Sequence, residues 1–289
     1  VFYFYLNFGE QLFYLTYLYY AADLKNWSKG GKIIMLRAIC LFILTGFMVS
    51  CGTLSNKSAN DILPRKGYIY IKKTVDLRIC VNDICTQGQM ASAGSGFVVK
   101  KTYKGSFIVT AAHVCSTEKE DIPENIKFRD NLYVETLGGD TFKAVVVSKN
   151  TKIDVCMIFA EDLVDGIEEV RLASRAPKEG DKVFNIASPY GIHYDNVVPI
   201  FEGRYIGSKG FTGLFTFDAG PGSSGSMILN DKGELIGVLH SVFTKMHSVV
   251  VAVEFYALRQ FIRRSLIEHA TSHVQRSKKY YEIMRPPYI

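Results

Sequence analysis

From Tyr68 to Val253 the chain is a succession of short alternating apolar runs, each cut off by a turn, and this pattern leaves little room for anything but β structure. Ser95–Val99 and Ser106–Thr110 flank Lys104-Gly105 and predict a hairpin. Leu132–Leu137, Phe142–Val147 and Asp154–Phe159 predict further strands, separated by Gly138-Gly139-Asp140 and Lys149-Asn150. After a connection near 163–181 the pattern resumes at Lys182–Ile186, Val197–Gly207, Gly213–Phe217, Ser226–Leu229, Leu235–Val242 and Ser248–Val253. Strands at this spacing predict a sandwich or a barrel. One segment, Ala257–Glu268, carries an amphipathic helical period instead. The 48% apolar content is enough to bury a core, and 21% charged residues argue against disorder.

Three short motifs inside that β pattern carry chemistry. Gly222-Ser223-Ser224-Gly225-Ser226 places serines in a glycine-rich turn, the setting in which a hydroxyl is exposed with backbone N–H groups beside it. Upstream stand Thr110-Ala111-Ala112-His113 and Asp154-Val155-Cys156-Met157-Ile158. A serine hydroxyl is a weak nucleophile at neutral pH and needs a base, and the base needs a group to orient it. His113, Asp154 and Ser224 supply those three types, in the chain order His, Asp, Ser. Taken singly, each has a plain structural explanation: a half-buried imidazole after a strand, a capping carboxylate, a loop serine.

Taken together, these motifs resemble trypsin-like serine proteases, closest to the protease domain of the HtrA/Deg type. Gly94-Ser95-Gly96-Phe97-Val98-Val99, Gly180-Asp181-Lys182-Val183 with Ser188-Pro189-Tyr190-Gly191, and Asn230–Val238 add to the likeness, which covers roughly 67–268. The resemblance implies an all-β protein: two successive six-stranded antiparallel β-barrels of the chymotrypsin type (about 67–162 and 176–256) and a C-terminal helix (257–268), followed by a basic aromatic tail (269–289). It implies Ser224 as nucleophile, His113 as base, Asp154 as its orienting acid, and the Gly222 and Ser224 N–H groups as the oxyanion hole. The Gly-x-Ser-Gly register selects Ser224 over Ser223 and Ser226. Two departures from the HtrA wording are Ser223, where Asn or Asp is frequent, and Ser226-Met227 in place of Gly-Pro. Ser226-Met227, with too little chain following for a PDZ domain, motivates an alternative reading, a catalytically silent trypsin-like module that binds peptides or partners.

Specificity is open at this level. Asp218 lies six residues before Ser224, where trypsin-like enzymes place the carboxylate that receives Lys or Arg, but Phe217-Asp218-Ala219 equally resembles a structural turn of the HtrA type. His240 lies on the strand that lines the pocket in the family. Glutamate-preferring relatives carry a His two residues after the strand glycine; His240 is three after Gly237, and strand alternation sends it to the other face. His193, His247, His269 and His273 show no metal-ligand spacing and are expected in surface loops and the tail. No cofactor or metal is implied; the expected partner is a protein or peptide substrate. The net charge of +6, without a zinc-finger spacing, a phosphate loop or an RNA-binding aromatic signature, does not point to nucleic acid.

The N-terminal region follows different rules. Ten of the first 20 residues are Phe or Tyr, and the first Met is Met35. Lys29-Gly30-Gly31-Lys32 is encodable by a ribosome-binding sequence, so residues 1–34 are expected to be leader DNA read as protein, with an aromatic membrane-associating segment as the alternative. From Met35, Arg37 and the apolar run Ala38–Val49 predict an export signal, 35–50. Met48-Val49-Ser50-Cys51 resembles a bacterial lipobox, which implies lipidation at Cys51, a tether over 51–66 and a lipid-anchored place in the cell envelope. The ordinary alternative is a secretory signal cleaved nearby or an uncleaved anchor. Too little chain follows 268 in this sequence for a PDZ domain. Export makes disulfides accessible. Cys80 and Cys85 flank an Asn82-Asp83 turn and predict a local bridge. The fold implied by the resemblance brings Cys115 and Cys156 together, and a bridge and two buried thiols are both open there.

Overall fold

A computed structural model describes residues 62–81, 84–117, 123, 126–243 and 246–283, with the side chains of the last helix described as far as Thr271. The leader, signal, Cys51 and tether expectations, the Asn82-Asp83 turn and residues 284–289 lie outside the described residues. Among the described residues no helix is long and apolar enough to cross a membrane.

Twelve strands form two closed antiparallel barrels of six strands each. The first contains β1 (Tyr68–Val81), β2 (Ile84–Thr102), β3 (Gly105–Thr110), β4 (Ile126–Thr136), β5 (Thr141–Asn150) and β6 (Val155–Glu161), in the spatial order β1-β2-β3-β6-β5-β4. A four-residue helix, α1 (Ala112–Cys115), follows β3. The second barrel contains β7 (Lys182–Ile186), β8 (Ile200–Lys209), β9 (Thr212–Thr216), β10 (Met227–Asn230), β11 (Leu235–Phe243) and β12 (Met246–Val253), in the order β10-β11-β12-β9-β8-β7. The expected architecture, two six-stranded antiparallel barrels and a C-terminal helix, is the one observed. Closure leaves no open edge where a barrel is complete. Irregularities between Val98 and Lys100, Val146 and Ser148, Tyr205 and Gly207, and Leu239 and Ser241 bend the strands enough to close the rings.

Alternation along the strands builds three apolar cores. Ile69, Ile71, Val98, Ile108 and Ile158 fill the first barrel; Val183, Phe215, Ile228, Ile236 and Leu239 fill the second. The third core, with Tyr68, Phe97, Met157, Met227, Val238 and Leu258, joins the two barrels to the final helix, α2 (Phe255–Ile283). The candidate catalytic side chains lie along this junction.

Two features exceed the expectation. β1 and β2 pair over fourteen positions, Tyr68↔Phe97 to Val81↔Ile84, and so run well past the barrel as an arm, with β4 alongside as far as Ile79↔Ile126. Residues 84–93 of β2 are exposed on both faces, which is why no alternation marks them. α2 begins two residues earlier than expected and continues through the expected tail to Ile283. The Glu254 carboxylate starts it, accepting the N–H groups of Tyr256 (2.8 Å) and Ala257 (3.2 Å). Both disulfides are present: Cys80–Cys85 crosses the arm, and Cys115–Cys156 joins the end of α1 to β6.

Candidate active site

α1 lifts His113 out of the wall of the first barrel; its neighbours Ala112, Val114 and Cys115 are buried while the imidazole is half-exposed. Asp154 ends the turn before β6 with φ of 51°, a left-handed conformation that Asp tolerates better than most residues. That conformation aims both carboxylate oxygens at one residue. Oδ2 is 2.8 Å from His113 Nδ1, and Oδ1 accepts the His113 backbone N–H at 3.1 Å. The ring nitrogen facing the carboxylate is therefore the protonated one, and Nε2 is left to accept a proton. Burial pushes the Asp154 carboxyl up, but the His113 ring hydrogen bond, its charge and its backbone N–H, with His240 adding to them, outweigh burial and hold the group below the usual carboxylate range.

Ser224 comes from the second barrel, in the turn before β10. The turn is built on glycines that no other residue replaces: Gly222 has φ of +95° and Gly225 φ of +86°. A Cβ on Gly225 would lie 2.1 Å from Thr110 Oγ1 and 2.2 Å from Ser95 O. The three serines of the turn have separate fates. Ser223 is buried and its Oγ accepts the Gly220 N–H at 3.3 Å; Ser226 is buried and its Oγ accepts from Asn185 Nδ2 at 2.7 Å. Only Ser224 keeps its hydroxyl partly exposed, and it donates to the His240 carbonyl at 3.4 Å rather than to His113. Among the described residues neither the Gly222 nor the Ser224 N–H has a protein acceptor, as two donors awaiting a developing anion require.

The turn is pinned from the first barrel by Ser95, which sequence reasoning did not single out. Its N–H donates to Ser224 O (2.8 Å), its Oγ donates to Gly222 O (2.8 Å) and accepts the Ser188 N–H (3.1 Å), and its carbonyl accepts from Thr110 Oγ1 (2.7 Å). Ser188 in turn hydrogen-bonds the hydroxyl of Tyr68, whose acidity burial suppresses. Tyr190, with φ of 54°, donates its N–H to Pro221 O. Lys73, buried, donates from Nζ to the His113 carbonyl at 3.0 Å. The only signal for Ser95 in the chain was its place in Gly94-Ser95-Gly96, where a Cβ on Gly94 would lie 3.1 Å from Ser224 O.

The remaining candidates fall elsewhere. Asp218 is exposed on the segment after β9, not buried as a carboxylate at the foot of a pocket would be. His240 Nδ1 is 3.9 Å from Asp154 Oδ2 and 3.1 Å from Ser241 Oγ. The expectation of surface positions fails for two histidines. The His193 side chain is 3% exposed, stacked on Tyr70 with centroids 4.9 Å apart and with Nε2 3.2 Å from Glu135 Oε1. His269 packs edge-on against Phe107. The side chains of His247 and His273 lie outside those described. Among the described residues no cluster of His, Cys, Asp and Glu suits a metal ion.

Comparison with known proteins agrees with this geometry. Residues 94–238 match the family model of the trypsin-like peptidase domain. Over 204 residues, 68% of the chain and 41% of the relative, it is 25% identical to a probable periplasmic serine endoprotease DegP-like of Buchnera aphidicola subsp. Baizongia pistaciae. Proteins of the same name from Ectopseudomonas mendocina and Halomonas elongata are 27% identical over 164 residues and 28% over 159, covering 55% and 53% of the chain and 31% and 30% of those relatives. The chain thus spans less than half the length of these relatives. The matched segment runs from the strand that pins the turn, through the imidazole, carboxylate and hydroxyl, to the hairpin beyond, and on this ground the chain belongs to the trypsin-like peptidase family.

Proposed function

We propose that the chain is a serine endopeptidase that hydrolyses peptide bonds through His113, Asp154 and Ser224. The observation that carries this reading is the His113 Nδ1–Asp154 Oδ2 hydrogen bond of 2.8 Å across a junction from the one partly exposed serine of a glycine turn. In the proposed reaction the Ser224 proton passes to His113 Nε2 as Oγ bonds to the scissile carbonyl carbon. The Gly222 and Ser224 N–H groups receive the resulting oxyanion. Collapse expels the amine, which takes the proton from His113, and leaves an acyl-enzyme that water cleaves by the same steps in reverse. Asp154 stays ionised throughout, and a carboxyl held below the usual carboxylate range supports that role.

The setting of this activity is proposed from the relatives and the sequence. Their names place them in the periplasm. Together with the export signal and lipobox pattern ending at Cys51, this supports an enzyme of the bacterial cell envelope, lipid-anchored and acting on proteins, with envelope protein quality control as one role.

A fluorophosphonate probe applied to the full chain tests the chemistry, because it labels only an activated serine. Labelling that disappears in Ser224→Ala and in His113→Ala is the expected result. A folded wild-type protein that takes no label would instead establish the silent binding module, for which the turn of Ser224 toward the His240 carbonyl speaks. A peptide-library digest then reads specificity.

A further inference from the structure

β11 carries a defect at the point where it passes the nucleophile. Leu239 pairs with Ala252 and Ser241 with Val251, so His240 is an extra residue with no partner across the ladder. Such bulges re-aim side chains next to functional sites. Here the bulge turns two parts of one residue on the same machinery. The His240 carbonyl accepts the Ser224 hydroxyl, and the His240 imidazole, mostly buried, faces the Asp154 carboxylate with Nδ1 3.9 Å from the oxygen that His113 already holds at 2.8 Å. The distance is one small ring rotation longer than a hydrogen bond. Ser241 Oγ, 3.1 Å from Nδ1, tethers the ring in this position.

Resting on the protease reading above, we propose that His240 is a positioning residue: its neutral imidazole takes a share of the Asp154 carboxylate, and its protonation disarms the site. Four groups face it: Asp154 from the turn before β6, His113 from α1, Ser224 from the glycine turn, and Ser241 beside it. Of these only Asp154 is anionic. In the neutral state His240 steadies that carboxylate opposite His113. When His240 takes a proton, the second cation competes for the one carboxylate and weakens its hold on the base, so that both imidazoles must be neutral for the hydroxyl to be activated. Burial lowers the basicity of His240, with Asp154 opposing and His113 adding to the effect, which keeps the ring neutral at neutral pH.

The test measures the rate of fluorophosphonate labelling of the full chain against pH. The wild type is expected to lose rate in acid with a slope that steepens from one proton toward two. His240→Ala is expected to label a few-fold more slowly at neutral pH, as loss of a ring dipole 3.9 Å from the carboxylate implies, and to keep a one-proton limb. His240→Asn, which retains a neutral N–H donor, recovers part of the rate and shows the same single limb. Unchanged rates, or the same steepening in both variants, would overturn the proposal while leaving the labelling itself, and so the protease, intact. Absence of any labelling in the folded wild type overturns both. If the variants do not fold, NMR of the wild-type imidazoles decides: the His113 Nδ1–H signal moves in two steps with pH if His240 shares its carboxylate, and movement in a single step refutes the sharing.

Discussion

A single methyl group at position 225 is enough to strike chemistry and fold together. Gly225→Ala forces a left-handed backbone on a residue that resists it and drives Cβ into Ser95 O and Thr110 Oγ1. We expect this variant to lose labelling altogether and to unfold at lower denaturant than wild type by at least about 2 kcal/mol, read from urea melts. Asp154→Asn separates the two. It keeps the shape of the side chain but removes its charge, so kcat should fall by about 10³–10⁴ while the melting curve moves little, as steady-state kinetics and calorimetry on one preparation will show. At this scale the sequence offered the residues whose types the proposed chemistry needs, His113, Asp154 and Ser224 in that order, and the structure sets His113 against Asp154. It did not disclose Ser95, because a hydroxyl that anchors a neighbouring loop has no spacing of its own. Nor did it disclose the burial of His193, because an imidazole in a polar segment looks the same whether solvent or Tyr70 lies against it.

Among the elements, α2 illustrates how local rules mislead. Glu is a poor match to the usual capping residues, so the helix start at Glu254 left no mark, and its continuation beyond 268 lacks the apolar stripe that periodicity detects. Glu254→Ala removes the acceptor for two helix N–H groups and should cost about 1 kcal/mol in a thermal melt, with activity unchanged. The arm of β1 and β2 escaped notice for a related reason: alternation records burial on one face, and residues 84–93 are exposed on both. The Cys115–Cys156 bridge is a stronger constraint, since it closes a loop with a sequence separation of 41 that carries Asp154 and starts just after His113. Replacing both cysteines with serine should lower stability by about 2–4 kcal/mol in denaturant melts, and reductant should lower the wild type by the same amount.

At the scale of the molecule, acid should loosen the fold in two stages. His193 and His240 are both less basic in the folded state than the reference 6.5, chiefly through burial, so the unfolded chain binds protons first as pH falls. Their contribution to stability is complete above about 6.5 and declines below it. Asp154, held below its reference 3.8, keeps its contribution until pH drops further and loses it as the folded group takes a proton. Urea melts from pH 8 to 3 should show both declines, and His193→Phe should remove part of the first. The β pattern was legible because it rests on many weak, repeated signals, strand after strand; its division into two barrels came from the family resemblance, and the apolar core at their junction only from tertiary structure.

That junction has a mechanical consequence. The imidazole and carboxylate travel with one barrel and the hydroxyl with the other, and Ser95 N–H to Ser224 O is among the few bonds that cross between them at the turn. A load that parts the halves by a few ångströms withdraws the blade from its handle while each ring of strands is still whole, so a tugged molecule stops cutting long before it melts.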